Sequence, residues 1–320
     1  MEKVDQVIRE NLKLFEEKFT QILKGGNTLL RHILQFIIKR KGKQMRPMFV
    51  LLSARIAGGI TEASYRAAAM IELLHTATLV HDDVVDDAML RRNFFSINAV
   101  WKNKIAVLVG DYLLAKGLLL SVENEDFELL KITSKAVKEM SEGELLQIEK
   151  ARKLDITEEI YFEIIRSKTA SLLASACAAG AFSARGDKEV AAQFRLFGEK
   201  IGIAFQIKDD LLDYGHDNIG KPTGIDIKEK KMTLPLIYTL SQASPAQRRS
   251  IIYIVKNQNT NKKKVAEVLQ QVQQAGGLDY AASVMHRYCQ EALDLLAQFP
   301  ESPEREAMQE LVSYTIQRKH

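Results

Sequence analysis

Apolar residues recur along this chain at helical intervals. Val7, Leu12, Leu14, Phe15 and Phe19 do so near the start, and Leu145, Ile148, Ile160, Ile164 and Ile165 further on. No stretch alternates apolar and polar residues between turn signals, as a half-buried strand would. Breaks at Gly25-Gly26, Gly42, Gly58-Gly59, Gly186, residues 214–224 and Gly276-Gly277 divide the chain into roughly a dozen helices. Thr61-Glu62 opens one of them, and the acids of 155–159 sit at the positive end of another. Proline agrees with this pattern, because none occurs between Pro47 and Pro222 and packed helices exclude it. No shift in composition marks a linker. The pattern predicts one all-α domain over residues 1–320.

Composition narrows the class. With 320 residues, 46% of them apolar and 27% charged, the chain can bury a large core, which excludes intrinsic disorder. A net charge of +4 is small for this length and does not indicate a nucleic-acid partner. Cys177 and Cys289 are too few for a disulfide framework or a structural zinc site, and they fit a reducing compartment as two small apolar side chains. The N-terminal residues mix charge with apolar positions and lack a signal-peptide core. No uncharged apolar run reaches the ~20 residues of a membrane span. The longest candidate, residues 169–184, reads as a buried helix. A cytoplasmic protein without a membrane span is expected. The polar run 256–264 reads as an exposed loop and helix start.

The candidate chemistry lies in two acidic clusters of the same form. Asp82, Asp83 and Asp86 make one D-D-x-x-D, and Asp209, Asp210 and Asp213 make the other, each at the end of an apolar helical stretch. Positions i and i+4 lie on one face of a helix, so Asp82 projects with Asp86 and Asp209 with Asp213. Like charges at that spacing destabilise a helix, and acids at its C-terminal end oppose the dipole. A cation resolves both conflicts. Oxygen donors select a hard cation, and magnesium typically takes one or two carboxylates together with substrate phosphates. Neither cluster has the spacing or the central glycine of a calcium-binding loop.

Basic groups flank each cluster. Arg91-Arg92 follow the first, and Lys221 and Lys230-Lys231 follow the second. A further group, Gly42-Lys43-Gln44-Met45-Arg46-Pro47, stands where a turn meets a helix, whose first free N–H groups favour phosphate. Arginine offers forked bonds to phosphate and lysine a point charge. His75 lies seven residues before Asp82, about two turns back on the same face. Glu72 and His75 also match one E-x-x-H half of a di-iron bundle, but no second half exists in the sequence. Duplicated acids beside these cations point to a magnesium–diphosphate site.

From Gly42-Lys43-x-x-Arg46-Pro47 to Lys231-Met232-Thr233-Leu234-Pro235, the chain resembles the trans-isoprenyl diphosphate synthases, the polyprenyl synthetase family. The resemblance implies an isoprenoid synthase-like bundle around a deep central cavity, usually homodimeric and magnesium-dependent. It implies head-to-tail condensation of isopentenyl diphosphate with an allylic diphosphate. Carried onto this sequence, it assigns Lys43, Arg46, His75 and Arg92 to isopentenyl diphosphate. Asp82, Asp86 and Asp209 become the main magnesium ligands, and Asp83, Asp210 and Asp213 supporting or water-mediated ones. Arg91, Lys168, Lys221 and Lys231 would grip the allylic diphosphate, with Thr169 and Gln206 at the reacting end; Lys168, Thr169 and Gln206 are the catalytic candidates. Two positions depart from the family pattern, since Asn93 and Lys230 stand where glycine is frequent. The small Ala77 and Thr78, one turn before Asp82, take the place of aromatics that stop elongation at short products. They imply a long-chain all-trans product of the kind used for quinone tails, with peripheral membrane contact at its release. The alternatives are a short-chain farnesyl or geranylgeranyl diphosphate synthase, a terpene cyclase, which shares only the first acidic motif, and a non-catalytic partner subunit of a heteromeric synthase.

Overall fold

The computed structural model describes residues 1–39, 42–91, 94–215 and 224–317. Its elements run α1 (Glu2–Ile22), α2 (Thr28–Lys39), α3 (Met45–Ala57), α4 (Glu62–Val85), β1 (Leu90–Arg91), β2 (Phe94–Phe95), α5 (Ile97–Glu123), α6 (Phe127–Lys153) and α7 (Glu158–Ile165). A π-helical turn, Arg166–Ala170, leads into α8 (Ser171–Arg185). There follow α9 (Lys188–Tyr214), α10 (Ile225–Lys228), α11 (Leu234–Gln242), α12 (Pro245–Asn257), α13 (Lys262–Gln274), α14 (Gly277–Leu296) and α15 (Pro303–Gln317). The protein is all-α. The one ribbon among the described residues pairs Leu90 with Phe95 and Arg91 with Phe94, antiparallel. Two residues per strand are too few to leave an alternating signal in the sequence, so that reading passed over it.

Local chemistry explains the boundaries. Ser64 Oγ accepts from the Thr61 N–H at 3.0 Å and starts α4. Ser96 caps α5 by accepting from the Ala99 N–H at 3.3 Å, and Thr157 caps α7 by accepting from the Ile160 N–H at 3.4 Å. Asn261 caps α13, which opens on Lys262, so the polar run does form a loop and a helix start.

The chain forms two compact units. The first holds Met1–Val137, Leu172–Arg195 and Phe299–Leu311. In it α4 packs along α5, and α3 and α1 lie against α4. Leu73, Ala77 and Val80 of α4 share a core cluster with Ile33 and Leu34 of α2 and with Ala106, Val109 and Leu113 of α5. Each large aliphatic side chain fully buried here contributes ~1.5–3 kcal/mol. The alanine-rich α8 buries Ala174, Ala176, Cys177, Ala179 and Ala181, and its Gly180 lies directly against the Val50 backbone. Only small side chains allow helices to approach that closely. By length and composition α5 could cross a membrane. Lys104, Asp111 and Lys116 interrupt its apolar sequence, its backbone leaves the helical region at Lys102, and one side packs on α4.

The second unit holds Lys138–Ser171, Leu196–Gln298 and Val312–His320. Its core joins Ile164 and Ile165 of α7, Ile203 and Ile207 of α9, Leu234 and Leu236 of α11, Val268 and Val272 of α13, and Ala281 and Val284 of α14.

Candidate active site

In the first unit, α4 carries His75, Thr78 and Asp82 as partly exposed positions. Asp83, rotated by one residue, is 4% exposed, whereas Asp86 stands exposed at the helix C-cap. The helical period thus divides the first motif into a solvent-facing pair and one buried carboxylate. Asn98 Nδ2 donates to the Asp83 carbonyl at 3.1 Å and ties the end of α4 to α5. Lys43 lies exposed just before α3, and Arg46 is partly buried in its first turn. Ala77 is fully buried in the α4–α5 core cluster, and Thr78 Oγ1 donates to the His75 carbonyl at 2.9 Å. Arg91 sits in β1. Its side chain, all of Arg92 and Asn93, and Lys221 lie outside the described residues.

In the second unit, α9 presents the second motif near its C-terminus. Asp209 is exposed, Asp210 is 6% exposed, and Asp213 is half-buried. Both Asp210 oxygens have partners: Tyr161 Oη donates to Oδ2 at 2.7 Å and Gln206 Nε2 donates to Oδ1 at 2.8 Å. Burial pushes the Asp210 carboxyl up to about 7, against the pull of those two donors. Asp213 accepts from the Ile225 N–H and the Asp226 N–H, both at 3.0 Å, and so caps α10. Burial also raises the Asp213 carboxyl. Asp226, which the sequence reading did not single out, belongs to the same acidic field. Burial first, then the charges of Asp210 and Asp213, push it up to about 7. Its only signal in sequence is its place in the first turn after the Gly224 break.

Lys231 faces these acids. It pairs with Glu229 at 2.5 Å and stands 4.0 Å from Asp226. Lys230 has a left-handed backbone, φ 59°, and the turn it makes brings the Lys231 N–H to the Asp226 carbonyl at 2.8 Å. A glycine would hold that conformation without strain.

The candidates Lys168 and Thr169 occupy the π-helical turn. Such turns place an extra residue in a helix and cluster at functional sites. Two glycines make room for it. A Cβ on Gly202 of α9 would lie 2.5 Å from Ala170 Cα, and one on Gly143 of α6 would lie 2.8 Å from the Lys168 nitrogen. Lys168 Nζ pairs with Glu144 and donates to Gln147 Oε1 at 3.4 Å. Thr169 Oγ1 donates to Gln206 Oε1 at 2.8 Å.

The candidate donors are carboxylates, which suit a hard divalent cation. Among the described residues, no three or more His, Cys, Asp or Glu side chains group closely enough to hold a metal by themselves.

Paired carboxylates near the ends of α4 and α9, with Lys231 beside the second set, suit a protein that handles metal-bound phosphorylated substrates. The family model described as Polyprenyl synthetase matches residues 27–272, and the chain belongs to that family. It is 35% identical over the full length of both chains to a short chain isoprenyl diphosphate synthase of Methanothermobacter thermautotrophicus. It is 39% identical to an all-trans-nonaprenyl-diphosphate synthase of Rhodobacter capsulatus, over 91% of this chain and 89% of that one. Among solved structures, a polyprenyl synthase from Caulobacter crescentus, complexed with calcium and isoprenyl diphosphate, superposes with a TM-score of 0.90. It shares 31% identity over 100% of this chain and 98% of that one. The protein is therefore an enzyme, a prenyl transferase.

Proposed function

We propose that this prenyl transferase uses magnesium to condense isopentenyl diphosphate head-to-tail with allylic diphosphates, making a long-chain all-trans polyprenyl diphosphate of the kind that becomes a quinone side chain. The observation that carries the reading is the duplicated D-D-x-x-D whose outward members, Asp82, Asp86 and Asp209, are open to solvent. These three would hold magnesium, with Asp83, Asp210 and Asp213 supporting them. Bound magnesium supplies neutralising charge for a departing diphosphate.

The chain's own residues do the rest. Lys43, Arg46, His75 and Arg92 hold isopentenyl diphosphate. Arg91, Lys168, Lys221 and Lys231 hold the allylic diphosphate and stabilise charge on it as the allylic C–O bond breaks. The double bond of isopentenyl diphosphate then forms the new C–C bond, and the proton lost goes to the released diphosphate. Thr169 and Gln206 flank the reacting end, and apolar neighbours keep out water that would quench the cation. No protein nucleophile is required.

One feature supports the longer product: Ala77 and Thr78 are small, where a bulky side chain would end elongation early. Mass spectrometry of the product made from both substrates tests the reading. A chain of C30 or longer supports it, and a product ending at C15 or C20 gives the short-chain alternative. Ala77→Tyr should shorten the product. Because Ala77 is tightly packed, Thr78→Phe at the partly exposed neighbouring position is the companion variant.

We further propose that the protein works as a homodimer. Val107, Leu108, Leu118, Leu119 and Val122 leave one side of α5 apolar and exposed, a surface that a second copy would cover symmetrically. Light scattering of the purified chain tests this, and a monomer as the active species overturns it.

A further inference from the structure

We propose that Tyr161 is a positioning residue for prenyl transfer, and that Asp210 serves it as an internal anchor joining α7, α9 and the π-helical turn. The proposal rests on the reading that Thr169 and Gln206 flank the reacting end.

The hydrogen bonds form one directed chain. Tyr161 Oη donates to Asp210 Oδ2 at 2.7 Å. Gln206 Nε2 donates to Asp210 Oδ1 at 2.8 Å. Thr169 Oγ1 donates to Gln206 Oε1 at 2.8 Å. Tyr161 is 3% exposed and Asp210 is 6% exposed, so water does not readily replace either partner.

The chain has one polarity. Asp210 accepts at both of its oxygens, from Tyr161 Oη and from the amide nitrogen of Gln206. The amide oxygen is then turned to Thr169, whose hydroxyl proton is committed to it. Thr169 can offer only oxygen lone pairs to any further group. A helical Ser or Thr otherwise tends to donate to the carbonyl four residues back. Ser171 does this, bonding to the Ser167 carbonyl at 2.5 Å. Thr169 bonds to Gln206 instead, and Asp210 is what orients that glutamine. Tyr161 in turn holds the second oxygen of Asp210 and keeps the carboxylate from rotating toward solvent. Both Asp210 oxygens are engaged by protein donors and the residue is buried, whereas Asp209 beside it is exposed.

The test is a double-mutant cycle of Tyr161→Phe and Thr169→Ala, followed by single-turnover rate, KM for each diphosphate and half-saturating magnesium. Tyr161→Phe alone should lower the condensation rate about tenfold. Both KM values and the magnesium half-saturation should stay within twofold, a split that loss of fold or of metal would not give. In the Thr169→Ala background, Tyr161→Phe should have no further effect, because it acts through Thr169. A full additional loss in that background overturns the proposal, as does a wild-type rate for Tyr161→Phe or a raised magnesium requirement. Should Tyr161→Phe not fold, Tyr161→Met replaces it in the same cycle, with the same expected rate loss and unchanged magnesium half-saturation, and a raised magnesium requirement there likewise overturns the proposal. If Thr169→Ala has full activity, the underlying reading of the reacting end fails instead, and that outcome is separate.

Discussion

Lys168, in the π-helical turn, is ion-paired with Glu144 of α6. Both side chains keep partial solvent access, at 33% and 26% exposure, so the pair is weak by the standard of buried ones. A diphosphate that takes Lys168 must displace or repel Glu144. Glu144→Gln removes that charge, and the apparent KM for the allylic diphosphate should fall two- to fivefold, equivalent to ~0.5–1 kcal/mol. Steady-state kinetics with the allylic substrate varied checks this. A raised KM would show that Glu144 helps to place the lysine.

Asp82→Ala and Asp209→Ala should each lose most turnover and keep the fold. Both remove an accessible carboxylate near the C-terminal end of a helix, where negative charge opposes the dipole. The metal-free variants should melt no lower than the parent. Excess chelator should abolish turnover of the parent, and magnesium should restore it. Near-normal kcat in either folded variant would remove that residue from the metal site.

Gly202→Ala should be destabilising and should slow turnover together. The added Cβ would sit 2.5 Å from Ala170 Cα and 2.7 Å from its Cβ. These atoms cannot swing aside as a long side chain would, so the π-helical turn itself must shift. Overpacking of this kind costs about 1–3 kcal/mol. Thermal melts and kcat of the purified variant report the two effects.

Lys230→Gly should stabilise the protein. The left-handed backbone at φ 59° is strained for lysine, and relief of such strain is worth about 1 kcal/mol. The added freedom of glycine in the unfolded chain offsets part of it, so a rise in Tm of a degree or two is expected. An unchanged or lower Tm counts against strain at this turn.

Cys177 should resist alkylation in the native protein. Burial pushes its thiol up to about 12, with a smaller opposing pull from Ser53, so almost no thiolate exists at pH 8. Cys289, half-buried, should react first. Above pH 9 the unfolded chain releases the Cys177 proton and the folded chain keeps it, so this group makes stability fall as pH rises toward 12. Peptide mass spectrometry after iodoacetamide treatment, with and without denaturant, reads the difference.

The sequence by itself determined the helical class, most helix boundaries and the two aspartate motifs. Helix period, caps, glycine breaks and proline exclusion are local, and each acts within a few residues. The division of each motif into open and buried members was also implicit, since a one-residue step on a helix rotates the side chain by about 100°. Tertiary structure alone decided what those side chains meet. That Asp210 is saturated by Tyr161 and Gln206, that Lys168 rests on Glu144 and that Asp226 shares the field of Asp213 are contacts between distant segments. The π-helical turn around Lys168 and Thr169 likewise depends on the glycines of α6 and α9 that press on it. Ala77 is the sharpest case. Its small size is read directly from the chain, whereas its complete burial in the α4–α5 cluster comes from how two helices pack, which no spacing along one of them records.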